Sequence, residues 1–237
     1  AYEGVSNNVV TVKGEDALLS ITNTIVIGSA TGTNNSVVVE NGGILNVTQT
    51  NIVISGTNNI LNIADGGTLQ TIDWAATNID ENIVFDSGST LELGGAFTGT
   101  NRLDSSFGLV LNGSLATNNA VWNTGSEILY VGYAEDGNTL TAKDGGMIAT
   151  DTDLIVGRNN KTTGNELTSI GTNSLIDVGN DLTIGRNGSS NNELTIEEGG
   201  EVDVGNDLII GSASGNNNGL ISGLSNSVST LTIGNKL

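Results

Sequence analysis

The sequence predicts an all-β protein: a single-stranded parallel β-helix, or β-solenoid, of about nine three-sided coils of about 26 residues, with little or no α-helix. Three observations predict it. A short phrase recurs at near-constant spacing, each period contains three β-like segments, and glycine and asparagine punctuate those segments.

The recurring phrase opens on Asn and closes eight residues later on a glycine corner. It runs from Asn35 to Gly42-Gly43, from Asn59 to Gly66-Gly67, from Asn138 to Gly145-Gly146 and from Asn192 to Gly199-Gly200. A fifth copy opens at Asn165, with Thr172-Asn173 in place of the glycine pair. The steps Asn138 to Asn165 and Asn165 to Asn192 are 27 residues each, and Asn35 to Asn59 is 24. A second phrase keeps step with the first: Leu154-Ile155-Val156-Gly157, Leu182-Thr183-Ile184-Gly185 and Leu208-Ile209-Ile210-Gly211. A third is Leu175-Ile176-Asp177-Val178-Gly179, repeated as Glu201-Val202-Asp203-Val204-Gly205.

The segments read as strands because they are short, rich in Val, Ile and Thr, and alternate in polarity, as in Leu194-Thr195-Ile196-Glu197. Asn, Asp and Gly between them tolerate the positive φ of sharp corners. A β-sandwich would need no such register. Each coil returns the chain about 4.8 Å above the previous one, so nine coils make a rod roughly 40–45 Å long. Apolar residues point inward in stacks. Asn138, Asn165 and Asn192 are expected to stack as a ladder of side-chain amides. The chain has no proline, which would delete a ladder donor.

One solenoid domain is expected over residues 1–237. Residues 1–22 form an N-terminal strand region available for strand exchange, 73–125 form irregular coils with longer loops, and 127–237 are the most regular. The irregular stretch carries Phe85, Phe97, Phe107, Trp74 and Trp122, expected to fill a wider cross-section.

The chemistry on offer is narrow. There is no His and no Cys, and 7 Lys+Arg stand against 26 Asp+Glu, a formal net charge of -19. Without those residues the commonest general base, zinc ligand and thiol nucleophile are missing. The acidity argues against nucleic acid and against anionic membrane surfaces. No apolar run is long enough to predict membrane insertion. The chain opens on Ala1 without Met, as a mature secreted protein does once its signal peptide is removed.

The stretch "DLTIGRNGSSNNELTIEEGGEVDVGNDLIIG" resembles the β-helix repeats of bacterial surface proteins, autotransporter passenger domains among them. The resemblance is strongest over 127–237 and weaker over 23–69. It implies the solenoid fold and an extracellular, cell-surface setting, not a partner. One departure is that nothing here forms the membrane barrel of an autotransporter.

Three functional readings follow. The first is a secreted structural protein whose uncapped ends pair head to tail with copies of itself, building a filament or surface layer. Val9, Val10 and Val12 at one end, and Val228, Leu231 and Ile233 at the other, are the assembly candidates. The second is a passenger-type adhesin that binds glycans through loops at Ala134–Gly137, Asn159–Gly164 and Ser212–Gly219. The third is a calcium-dependent polysaccharide lyase or hydrolase. Asp153, Asp181 and Asp207, together with Asp177 and Asp203, are the calcium candidates, on the expectation that they stack one coil apart. Arg158 and Arg186 share the position after a repeat glycine and complete an acidic–basic strip. No catalytic residue and no other cofactor is expected.

Overall fold

A computed structural model describes residues 5–48, 52–72, 74–75, 82–86, 88–98, 101–103, 107–115, 120–213, 218–222 and 227–235. The chain coils upward through three faces in strict rotation, and every strand pairing is parallel. On the second face nine strands stack into one sheet, from Leu18–Ser20 to Gly219–Ser222. The first face carries a four-stranded and then a five-stranded sheet. The third carries two two-stranded sheets and a five-stranded one. Among the described residues the one helical turn is the 3-10 turn Gly113–Leu115, and no helix is long and apolar enough to cross a membrane.

Among the described residues the second-face sheet has nine strands, one per coil, and about seven of the turns are regular. The irregular turns lie in the stretch 73–125. There the strands Trp74–Ala75, Phe97–Thr98 and Arg102–Leu103 shrink to two residues each.

Register explains the core. Leu19, Leu45, Leu69, Leu91, Leu109, Leu140, Leu167 and Leu194 follow one another in a single column of the second-face sheet. Seven of them, Leu45 to Leu194, are 0% exposed. Period-2 alternation sends these side chains inward and their neighbours out. Because identical residues stack at one strand spacing, each leucine buries its neighbours without a helix or a second sheet.

Corners follow from backbone conformation. In the corner after Ser36–Glu40, both Asn41 (φ 52) and Gly42 (φ 82) are left-handed, and the second glycine lies against the carbonyl of Val12 in the coil below. Asp65, Asp144 and Glu198 occupy the place of Asn41, with φ of 46, 46 and 51. Asn and Asp visit this region far more readily than Glu. Replacing Glu198 by Asn is therefore expected to stabilise the fold by about 0.5–1 kcal/mol. An unchanged denaturation midpoint would count against this account of the corner.

The repeat changes phase partway along the rod, which its spacing alone does not disclose. In the lower half the Asn phrase precedes the first-face strand, as Asn35 precedes Ser36–Glu40. In the upper half it precedes the second-face strand, as Asn138 precedes Thr139–Lys143. One column of the nine-stranded sheet records the change. The residues just before it are Ala17, Gly43, Gly67, Ser89 and Phe107 below, and Asn138, Asn165, Asn192 and Asn218 above. Between Asn82 and Asn138 the chain lays down seven strands where two repeats need six. Every later phrase thus begins one face further round.

Candidate functional site

Two Asn ladders run along the rod. In the upper one, the Asn138 side-chain amide donates to Asn165 Oδ1 (2.9 Å), Asn165 to Asn192 Oδ1 (2.9 Å) and Asn192 to Asn218 Oδ1 (2.8 Å). Each of these oxygens also accepts the backbone N–H of the Asn below it. Asn138, Asn165 and Asn192 are 0%, 0% and 1% exposed. In the lower ladder Asn8 donates to Asn35 (2.8 Å) and Asn35 to Asn59 (2.9 Å), one face away from the upper one.

The second phrase now has its reason. A Cβ at Gly132 would overlap the Asn165 amide, at Gly157 that of Asn192, at Gly185 that of Asn218 and at Gly28 that of Asn59. Each glycine closing a three-residue strand leaves the space that a ladder Asn of a later coil fills.

The calcium candidates form two different arrangements. At the corner between the third and first faces, Asp153 Oδ1 accepts from the Asn180 side chain (2.7 Å) and the Asp181 N–H (3.4 Å). Asp181 Oδ1 likewise accepts from Asn206 (2.7 Å) and the Asp207 N–H (3.1 Å). These carboxylates are rungs of an Asp–Asn ladder, with one oxygen of each committed to protein donors. Asp177 and Asp203 lie directly opposite each other on the third face. Desolvation first, then the charges of Asp203 and Asp151, push the Asp177 carboxyl above its ordinary range. Among the described residues no group of three or more His, Cys, Asp or Glu is placed to hold a metal ion.

That shift has a testable sign. Folded Asp177 holds its proton more tightly than the unfolded chain does, so stability falls as pH rises from the unfolded pKa through the raised folded one. Asp177→Asn is expected to stabilise the protein by a fraction of a kcal/mol at neutral pH. No gain is expected well below the ordinary aspartate pKa, where both states are protonated. Thermal melts at the two pH values check this.

The rod ends treat the assembly candidates unequally. Val10 shares an inward column with Val37 and Leu61, yet is 50% exposed where those two are 6% and 0%. Val9 and Leu18 are 62% and 60% exposed, and Val228 is 86% exposed. Val12 does not belong with them. It is 7% exposed and sits in the core, because it points inward under Val39. Leu231 and Ile233 also point inward, packing half-buried over Val202 and Val204.

An arginine–tyrosine patch was not predicted. Arg102 and Arg158 cover Tyr133, their guanidinium carbons 3.7 and 3.9 Å from its ring centre, and Tyr130 meets Tyr133 edge-on at 5.1 Å. Backbone bonds place Arg158 one coil above Tyr133 and Arg186 one coil above Arg158. All three arginines of the chain thus lie along one edge, with Lys161 in the adjoining corner loop. Lys13 and Lys143 are paired with Glu40 and Glu92. Arg158, Arg186 and Lys161 have no carboxylate partner among the described residues. The signal in the sequence was the shared place of Arg158 and Arg186; the tyrosines reach them only through coil stacking.

A cleft of about 330 Å³ opens where the phase changes, lined by Ser89, Thr90, Gly108, Asp136 and Thr139 among others. Among the described residues Asp136 is the one carboxylate lining it, and its Oδ1 already accepts the Thr163 N–H at 2.6 Å. An acid–base pair for glycoside cleavage needs two carboxylates at defined separation.

Fold and ladders together define a parallel β-solenoid of stacked coils. Comparison with protein-family models, curated proteins and solved structures returns no match to this chain.

Proposed function

We propose that this protein is an extracellular structural subunit that assembles head to tail, the edge strands of one copy pairing with those of the next. The observation that carries the reading is the exposure of inward-facing residues in the outermost coil, Val10 above all. The strands Leu18–Ser20 and Gly219–Ser222 end the nine-stranded sheet, each paired on one side only among the described residues. An unpaired strand edge over an open core is a template for a further strand. Two different open ends on one rod make a heterologous contact, which propagates.

Negative-stain microscopy and sedimentation of the purified chain test the reading. Linear polymers are expected, and deleting either 1–13 or 228–237 should reduce them to single rods. Polymers that survive both deletions unchanged would sink it.

A second reading is favoured by the arginine–tyrosine patch: an adhesin that binds acidic glycans. Guanidinium groups held by stacking present their N–H edges to carboxylates or sulfates. Binding of uronic-acid oligosaccharides but not neutral ones, lost in Arg158→Ala/Arg186→Ala, is the expected outcome. Equal binding by the double variant would dismiss it.

A further inference from the structure

The phase change dictates how two such rods can meet. The upper end presents Asn218 at the corner leading to the second face, and the lower end presents Asn8 at the corner leading to the first. Asn218 Oδ1 accepts from Asn192 below, but the Asn218 N–H finds no acceptor among the described residues. Asn8 donates upward to Asn35, and its Oδ1 receives no donor among them. Opposite ends of the rod thus carry the two halves of one missing rung.

If copies stacked without rotation, Asn218 would meet Ala17, the residue before the first strand of the nine-stranded sheet. Alanine offers no amide, and the upper ladder would stop with a polar group facing a methyl. Turning the second copy by one face puts Asn8 over Asn218. The strand Val9–Lys13 then lies on Gly219–Ser222, an Asn-phrase strand on its own kind. In the same joint Leu18–Ser20 lies on Thr230–Ile233.

We infer that successive copies join with a rotation of one face, roughly a third of a turn, so that the ladder Asn138–Asn165–Asn192–Asn218 runs on into Asn8–Asn35–Asn59 of the next copy. The inference rests on the head-to-tail reading and adds its geometry. The partner is a second copy of this chain, and the filament has three subunits per turn before any twist of the rod. The phase change inside each subunit moves the ladder one face round, and the joint restores continuity at the next.

Cysteine cross-linking tests it, in a chain with no native Cys. Gly219 and Leu18 are the two ends of one column, so they meet only in an unrotated joint. Gly219 and Val9 follow Asn218 and Asn8, so they meet only in the rotated one. Neighbouring strands hold such Cα atoms about 4.8 Å apart, within disulfide reach. A Cβ at Gly219 meets nothing within 4 Å, and Val9 and Leu18 are exposed, so the variants should fold.

Under mild oxidation Val9→Cys/Gly219→Cys is expected to give a ladder of covalent multimers. Leu18→Cys/Gly219→Cys is expected to give at least tenfold less. The reverse pattern, equal yields, or polymers that form with neither cross-link would overturn the rotation while leaving head-to-tail assembly standing. Chains that stay single by sedimentation would remove both.

Discussion

Replacing Asn165 with alanine is expected to cost about 4 kcal/mol of unfolding free energy. The side chain is 0% exposed and lies in the middle of the upper ladder. Its oxygen accepts both the backbone N–H and the side-chain amide of Asn138. Alanine removes the oxygen to which that N–H and one buried amide hydrogen of Asn138 donate. Stranding a buried polar group costs about 1–3 kcal/mol, far more than an average hydrogen bond contributes. For a chain of this length about 4 kcal/mol lowers the melting temperature by roughly 10 °C. Asn8→Ala is the control. Asn8 is exposed and ends its ladder, so its loss should cost less than about 1 kcal/mol. Equal losses at Asn165 and Asn8 would show that the ladder is not what stabilises the coils.

Trp122→Ala is expected to cost about 3–5 kcal/mol, the range for emptying a buried tryptophan site. Trp122 is 1% exposed and heads the inward column that continues through Ile148, Ile176 and Val202. Its ring meets Phe97 edge-on at 4.9 Å. Those two residues lie in strands of different third-face sheets, which share no hydrogen-bonded ladder. On that face the lower and upper halves are joined by side-chain packing. Stability in a solenoid is a sum of coil terms and neighbour terms. Removing this contact weakens the coupling as well as the site, so unfolding should broaden or split into two steps. Trp122→Phe keeps most of the apolar volume and should cost less than half as much. A single sharp transition shifted by under about 1 kcal/mol in the alanine variant would refute this role.

The refrain of Asn, Gly and alternating apolar residues announced its architecture because a solenoid is built from local rules. Leu140, Leu167 and Leu194 are 27 residues apart and therefore stack. The ladder Asn residues could be named in advance for the same reason. Arg158 and Arg186 could be paired by their place after a glycine; Leu129-Tyr130-Val131-Gly132-Tyr133 is a divergent copy of the same phrase, with Tyr133 in the place of Arg158, and the register with Leu154–Val156 is what brings it out. Val12, Leu231 and Ile233 belong to terminal strands yet face inward. Composition marks a terminal strand, whereas facing is set by register with the coil next to it.

What the sequence determined by itself was the coil: its period, its three strands, its corners and its stacked core. These depend on contacts between residues one repeat apart, and spacing along the chain specifies them. Only the tertiary structure decided which face each phrase occupies. Among the described residues one strand more than two repeats need lies between Asn82 and Asn138, and its effect is a rotation of everything after it. Rotation about the rod axis is a sum over the whole preceding chain. It can be read only where all the coils are stacked, and it sets which corner of one end faces which corner of the other.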